Sequence, residues 1–147
     1  MYVHCHALAL GLVLGLLGTP TSTFADTGVI EWNDSTRQAM AAARELDRPV
    51  LLYIRASQCG YCRKMESKTW SDPAVVRVVT QGFVPLKIDG QQNSAWTDRL
   101  DVKGFPAVVV LSSSGEVVFH VDGYQSPREI LRRLNDATHP SASKTRR

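Results

Sequence analysis

Apolar residues are distributed along this chain with the periods of strands and helices. Residues 50–54 and 107–111 are continuous apolar runs of strand length, typical of strands that are covered on both faces of a sheet, and we expect the first of them to be central. Residues 83–89 alternate as a strand, but Pro85 favours an edge position because proline has no amide hydrogen to donate. The turn at 112–115 then predicts a hairpin.

Helix-start signals precede several segments of helical spacing. Ser35, with Gln38 three residues later, is a capping box that predicts a first helix. The apolar positions on one face of that helix are Ala39, Met40, Ala43 and Leu46. Asp72 as N-cap and Pro73 at the first helical position predict another helix over 74–80.

Three further helices complete the predicted set. Residues 59–69 are good helix formers, 91–100 are weakly helical, and a cap at 126–129 precedes the last helix. The predicted buried stripe of the last helix is Ile130, Leu131 and Leu134. The order helix, strand, helix, helix, strand, helix, strand, strand, helix predicts an α/β domain, with a mixed sheet and helices on both faces.

The N-terminus has the pattern of a secretory signal peptide over residues 1–25. An apolar block at 7–17 is followed by small residues ending at Ala25, although no Lys or Arg precedes the block. The block is shorter than the roughly 20 residues that span a bilayer. We expect cleavage after Ala25, which removes Cys5, and an exported or periplasmic location; an uncleaved tether is the alternative.

The net charge of +3 comes from the C-terminal end. Lys144, Arg146 and Arg147 supply it, and the other 14 basic residues equal the 14 acidic ones. No basic face is predicted, so nucleic acid is not an expected partner. The polar composition of 138–147 predicts a disordered basic tail, which leaves 26–137 as a single domain.

Cys59 and Cys62 are placed where the apolar strand meets the next helix. At a helix N-terminus, unpaired N–H groups and the helix dipole stabilise a thiolate, which makes Cys59 the expected nucleophile. Cys62, one turn further, is the expected resolving thiol. The spacing therefore predicts a pair that exchanges disulfides through a mixed disulfide.

Other uses of two cysteines remain as alternatives. A structural disulfide closing so short a loop constrains the unfolded chain little. A structural zinc site needs four ligands, and His120 and His139 lack ligand spacing. Copper(I) is the stronger rival, because Met65 could join Cys59 and Cys62 in a soft ligand set.

Several segments in order carry a resemblance to the thioredoxin superfamily over about residues 31–136. Residues 50–62 match the family's strand and redox helix, 104–106 match the segment with its cis proline, and Gly123 matches the glycine before the last helix. Residues 62–84 are similar to the exported branch that includes the C-terminal domain of the membrane disulfide reductase. That similarity rests on 62–66, 69–73, Val76, Phe83 and Val84.

The resemblance implies a thioredoxin fold with four to five strands and a set of site residues. It implies catalysis by Cys59 and Cys62, and a cis Phe105–Pro106 bond facing them. The residues implied to contact substrate are Gly60, Tyr61, Phe105 and Pro106. The implied partners are protein disulfide substrates and a possible membrane thiol donor, with no bound cofactor, no metal and a monomeric protein.

Three positions depart from thioredoxin itself. Gln58 replaces the tryptophan before the first cysteine, Tyr53 replaces a buried acid, and Pro85 replaces a lysine. Thioredoxin's proton relay is therefore absent. We expect an exported thiol–disulfide oxidoreductase acting as a reductase, with a thiol oxidase, an isomerase or a copper chaperone as alternatives.

Residues near the pair have structural interpretations. Trp32 and Trp70 are predicted to pack in or around the core. Arg63 and Lys64 are predicted to form a solvated helix face, and His120 to be an ordinary surface residue of the hairpin.

Overall fold

The computed structural model describes residues 28–138. The predicted signal peptide and residues 139–147 of the predicted tail lie outside the described residues. Five helices and four strands occur in the described part of the chain, in the predicted order. The helices are α1 Thr36–Leu46, α2 Gly60–Lys68, α3 Pro73–Gly82, α4 Ser94–Arg99 and α5 Pro127–Thr138, and the strands are β1 Val50–Arg55, β2 Val84–Asp89, β3 Ala107–Leu111 and β4 Val117–Asp122.

The four strands form one mixed sheet in the order β2-β1-β3-β4. β1 pairs in parallel with β2 and antiparallel with β3, and β3 pairs antiparallel with β4. The interior position of β1 and the edge position of β2, which contains Pro85, are both as predicted. The antiparallel β3–β4 pair confirms the predicted hairpin.

Alternate residues of the two central strands pack into two apolar layers, one on each face of the sheet. The layer on the α2 side contains Leu51 and Tyr53 of β1, and the layer on the α1 side contains Leu52 and Ile54. We call these the α2-side and α1-side layers. The helical residues of the α2-side layer are Met65, Val75, Val76, Val79, Ile130 and Leu134, and those of the α1-side layer include Ala39 and Ala43.

The predicted apolar faces of the first and last helices are only partly buried. Ala39 and Ala43 of α1 are fully buried, but Leu46 on the same predicted face is 54% exposed. The reason is that α1 ends at Leu46, where Asp47 takes a left-handed conformation and turns the chain toward β1. In α5, Ile130 and Leu134 are buried and Leu131 is half-buried.

Trp32 and Trp70 pack in or against the α2-side layer, as predicted. Trp70 is 5% exposed and Trp32 packs against the same layer. Between residues 28 and 138, no helix is long and apolar enough to cross a membrane.

Candidate active site

Cys59 caps the N-terminus of α2. Its backbone is extended, and its Sγ accepts a hydrogen bond from the N–H of Cys62 at 3.0 Å. A sulfur atom thus occupies the place that a serine or aspartate oxygen takes at ordinary helix starts. Because this cap follows the carboxyl end of β1 after a short loop, the central strand fixes where α2 begins.

The two cysteines are joined as a disulfide and differ in exposure. Their Cα atoms are 5.1 Å apart, within the usual span of a disulfide. Cys62 is fully buried, whereas Cys59 is half-buried and next to the exposed Gly60. A partner can therefore reach the sulfur of Cys59 but not that of Cys62.

Tyr53 of β1 contacts α2, the helix that contains Cys62. Its hydroxyl donates a hydrogen bond to the carbonyl oxygen of Cys62 at 3.2 Å, and its side chain is fully buried. Burial raises the pKa of Tyr53 well above its usual range, and the nearby Glu66 carboxylate raises it further. The group thus remains a neutral donor where thioredoxin has an acid.

Aromatic rings surround Tyr53 in the α2-side layer. The ring centroids of Trp32 and Trp70 lie 5.7 and 5.4 Å from that of Tyr53, in tilted and edge-on arrangements. Trp32 and Trp70 are themselves 5.3 Å apart. Tilted and edge-on contacts at these distances are favourable for aromatic rings, so α2 rests on a mutually packed trio.

An ion pair connects the end of β1 to α2. The Nε of Arg55 lies 3.3 Å from an Oε of Glu66, although the two groups are not aligned as a hydrogen bond. Both side chains are about one-third exposed, but the two facing atoms are themselves shielded from solvent. The pair thus links the end of β1 to α2.

The Phe105–Pro106 peptide bond is cis, the isomer that the resemblance implies. The Pro106 carbonyl accepts a hydrogen bond from the N–H of Gly123 at 2.7 Å. Gly123 has φ +87°, a left-handed conformation that favours glycine. The loop containing Pro106 is therefore connected to the turn that leads into α5.

Gly90 gives space to the ring of Phe105. A Cβ at Gly90 would lie 2.7 Å from the Cζ of Phe105 and 2.9 Å from the Cγ2 of Ile54. Both positions are closer than carbon atoms can approach without displacement. Phe105, partly buried in the α1-side layer, thus depends on the absence of a side chain after β2.

His120 and Asp122 connect β4 to the loop that precedes Pro106. A nitrogen of His120 lies 2.9 Å from Asp122 Oδ1, and the N–H of Lys103 donates to Asp122 Oδ2 at 3.2 Å. The His120 side chain is only 22% exposed, so the expectation of an ordinary surface residue is wrong. The two residues are two apart on a strand and thus share one face of it.

Tyr61, Lys64 and Tyr124 lie together beside the disulfide. Tyr61 is 63% exposed, and its ring centroid is 6.5 Å from that of Tyr124. The ammonium of Lys64 lies 4.4 Å from the Tyr124 centroid, a cation–π distance. The helix and the loop before α5 thus share one aromatic and cationic surface.

A buried hydrogen bond also joins α2 to the loop before α5. The Thr69 hydroxyl, at the end of α2, donates to the carbonyl of Gln125 at 2.6 Å. Thr69 is fully buried and Gln125 is 8% exposed. Gln125, the residue after Tyr124, is therefore held at the C-terminal end of α2.

A family profile described as a thioredoxin-like domain matches residues 36–138. The chain belongs to this family. The matched range includes every helix and strand described above and both cysteines of the disulfide. The predicted thioredoxin fold is thereby confirmed, with four strands in its sheet.

Curated relatives of this thioredoxin-like domain include disulfide-exchange proteins. The chain is 26% identical to protein disulfide-isomerase A4 of Bos taurus over 79% of its own length. It is 32% identical to the thiol:disulfide interchange protein DsbD of Vibrio vulnificus over 58% of its length, in agreement with the predicted branch. It spans only 17% and 15% of these two longer proteins.

A solved structure agrees with the same assignment. The solution structure of a thioredoxin from Thermus thermophilus superposes with a TM-score of 0.66 at 27% identity. The superposition covers 73% of this chain and 85% of that one.

The thioredoxin-like domain uses Met65 in packing. Met65 is fully buried in the α2-side layer, one turn after Cys62. Among residues 28–138, no three His, Cys, Asp or Glu side chains are grouped as metal ligands would be. Met65 thus has a packing role in the α2-side layer.

Sequence reasoning missed Tyr124, Gly90 and Asp122 as neighbours of the site. Tyr124 follows Gly123, the glycine that the family resemblance does identify, so its position before the last helix was a usable signal. Gly90 directly follows a strand, where a glycine often marks a close approach. Nothing local in the sequence indicates that Asp122 reaches Lys103, 19 residues away.

Proposed function

We propose that this protein is an exported thiol–disulfide oxidoreductase that reduces disulfides of protein clients through Cys59 and Cys62. The observation that carries the proposal is the pairing of an accessible N-cap cysteine with a fully buried one, one helical turn apart. Its membership of a family that includes disulfide isomerases and interchange proteins supports the same chemistry.

The exchange proceeds in two displacements. The Cys59 thiolate attacks one sulfur of a client disulfide, forming a mixed disulfide and releasing the first client thiolate. Cys62 then loses its proton and attacks the Cys59 sulfur, which releases the second client thiolate and leaves the Cys59–Cys62 disulfide. Two electrons pass to the client, whose thiolates take protons from water.

The groups around the pair support each step. The N–H of Cys62, which donates to the Cys59 sulfur in the disulfide form, is available to stabilise the thiolate after reduction. An extended client chain lies beside Phe105 and Pro106, which offer it their backbone groups. Gly60 leaves the approach to Cys59 free of a side chain, and Tyr61 supplies an exposed ring beside it.

Turnover requires a dithiol donor protein that reduces the Cys59–Cys62 disulfide after each cycle. We propose a membrane-bound thiol donor, in keeping with the similarity to DsbD and with the signal-like residues 1–25. The protein acts as a monomer and needs no bound cofactor, because the disulfide itself carries the electrons.

The reduction potential of the pair tests the proposed direction. Gly60 and Tyr61 place no charge between the cysteines, so this dipeptide adds nothing to the helix dipole in stabilising the reduced form. We expect a potential of roughly −250 to −160 mV, measured in glutathione buffers. A value near about −120 mV, that of the strongest oxidant of the superfamily, would favour a thiol oxidase instead.

Trapping of intermediates tests the roles of the two thiols. Cys62→Ser should accumulate mixed disulfides with clients through Cys59, and Cys59→Ser should abolish insulin reduction. Alkylation of the reduced protein should modify Cys59 first. Faster modification of Cys62 would reverse the assignment.

A further inference from the structure

A positive and aromatic surface adjoins the proposed nucleophile, and neither the family match nor the named relatives assign it a role. It consists of Tyr61, Arg63, Lys64 and Tyr124, and we call it the docking face. The ring of Tyr61 is the most exposed part, and the Tyr124 ring lies beside it with Lys64 above. The guanidinium of Arg63 extends back toward Gly60, 3.9 Å from where a Cβ of that residue would be.

In the part of the chain that the structure describes, the two cations of the docking face form no ion pair with a carboxylate. Among residues 28–138, the Lys and Arg residues in ion pairs are Arg55 and Lys103, and neither Arg63 nor Lys64 takes part in one. The first turn of α2 contains no acidic residue. Asp122, close in sequence to Tyr124, is already held by His120 and by the amide of Lys103.

The docking face has a positive local charge. Arg63 and Lys64 follow each other in the sequence, and the first turn of α2 contains no acidic residue to offset them. The N-terminal end of α2 adds further positive potential at the same place. A partner segment with carboxylates is therefore attracted to this face, close to the sulfur that it must reach.

We propose that the docking face binds a segment of the client that carries Asp or Glu side chains beside its disulfide. This inference rests on the proposed function, because the client sulfur must reach Cys59 while its flanking residues lie on the face. Lys64 is held over the Tyr124 ring, so its ammonium is preordered to meet a carboxylate, and Tyr61 supplies apolar contact to the intervening chain. Lys64 and Tyr124 are thus specificity-determining residues.

The test compares two synthetic peptides of equal length, each with one disulfide, flanked by glutamates in one and by lysines in the other. The readout is the ratio of kcat/KM for the acidic peptide to that for the basic peptide, measured for each protein with a dithiol as reductant. Using a ratio within each variant cancels any change in the thiol chemistry of Cys59. We expect wild-type protein to favour the acidic peptide by about tenfold at low salt, and less at high salt as screening increases.

Variants of the two specificity residues should lower this ratio. Lys64→Gln should reduce it about three- to fivefold, mostly through KM, and Lys64→Arg should restore it because the charge and the cation–π contact remain. Tyr124→Leu should reduce the ratio, while Tyr124→Phe should retain it. The matched control is Lys68→Gln, on the last turn of the same helix, which should leave the ratio unchanged.

Outcomes that contradict the inference are distinct from failure of the proposed function. If wild-type protein reduces both peptides with a ratio near one, or if Lys64→Gln keeps the wild-type ratio, the docking face is not used and the proposed function stands. If sedimentation shows that a second copy covers the face in solution, the inference is also wrong. If neither peptide is reduced, the proposed function itself fails.

Discussion

The two apolar layers of the sheet are filled by different kinds of side chain. The α2-side layer contains Tyr53 and Trp70 at its centre, with Trp32 packed against them. The α1-side layer is mainly aliphatic, with alanines where α1 crosses the sheet. Both layers are built on alternate residues of the same two central strands, so the contrast arises from the side chains and not from the backbone.

This contrast corresponds to the different tasks of the two faces. Aromatic side chains of the α2-side layer have polar atoms, and the Tyr53 hydroxyl uses one to hold the carbonyl of Cys62. Such contacts fix the orientation of a helix as well as its distance. The small side chains of the α1-side layer permit close approach but provide no direction, which suffices for a supporting helix.

The largest effect should follow removal of the central tryptophan. Trp70→Ala should lower the free energy of unfolding by about 3 to 5 kcal/mol, because it leaves a cavity between Tyr53 and Trp32. Trp96→Ala, in the partly buried edge of the α1-side layer, should cost only about 1 to 2 kcal/mol. Urea titration of both variants gives the comparison. Equal losses of unfolding free energy would mean that packing among Tyr53, Trp32 and Trp70 contributes no more to stability than the packing of Trp96.

The α1-side layer should be most sensitive to an added side chain at Gly90, where its packing is tightest. Gly90→Ala should displace the Phe105 ring and cost about 1 to 3 kcal/mol. It should also slow disulfide exchange, since Phe105 precedes Pro106. Gly82→Ala is the matched control, because a Cβ there meets nothing within 4 Å. A Gly90→Ala protein with wild-type stability would show that Phe105 can adjust freely.

Tyr53 should make stability depend on alkaline pH. Its pKa is raised above the ordinary value of 10.0, chiefly by burial, so the folded state keeps the proton that the unfolded state loses above about pH 10. Stability should then fall as pH rises through that range. Tyr53→Phe should be about 1 kcal/mol less stable at neutral pH, and the difference should narrow above pH 10.

Tyr61→Phe is the control for this pH dependence. Tyr61 is mostly exposed, so its replacement should change neither the neutral stability nor the alkaline slope by a measurable amount. Chemical denaturation at a series of pH values gives both slopes. If Tyr53→Phe loses stability with rising pH as steeply as wild-type protein does, other groups cause the loss of stability at alkaline pH.

The smallest effect concerns the loop that precedes Pro106. Asp122→Ala removes the acceptor of the Lys103 amide and the partner of His120, with an expected cost of about 0.5 to 1 kcal/mol. Hydrogen exchange of the Lys103 amide should accelerate. Asp136→Ala, an exposed position on α5, should leave that exchange rate unaltered.

Local patterns predicted the elements of this fold well. The capping signals of Ser35 and Asp72 correspond to side-chain caps of α1 and α3, and Pro85 lies in an edge strand. These predictions succeed because each depends on residues within one element. The pattern did not show that Leu46, on the same helical face as Ala39 and Ala43, is exposed at the last residue of α1.

The surroundings of the cysteines depended on contacts between distant residues. Tyr53 could be located by its distance from Cys59, but its bond to the Cys62 carbonyl requires the twist that brings β1 beneath α2. The positions of Asp122 and Tyr124 depend on the hairpin register and on the turn at Gly123. Period and spacing do not specify contacts between distant residues, so the sequence located the cysteine pair without its neighbours.

The bond from Thr69 to Gln125 has a consequence for motion. It connects the far end of α2 to the residue beside Tyr124, while Lys64 connects the middle of the helix to the Tyr124 ring. A small tilt of α2, of the kind that accompanies opening and closing of a disulfide at its tip, would therefore carry Tyr124 along. The two contacts thus tie the position of the Tyr124 ring to the orientation of α2.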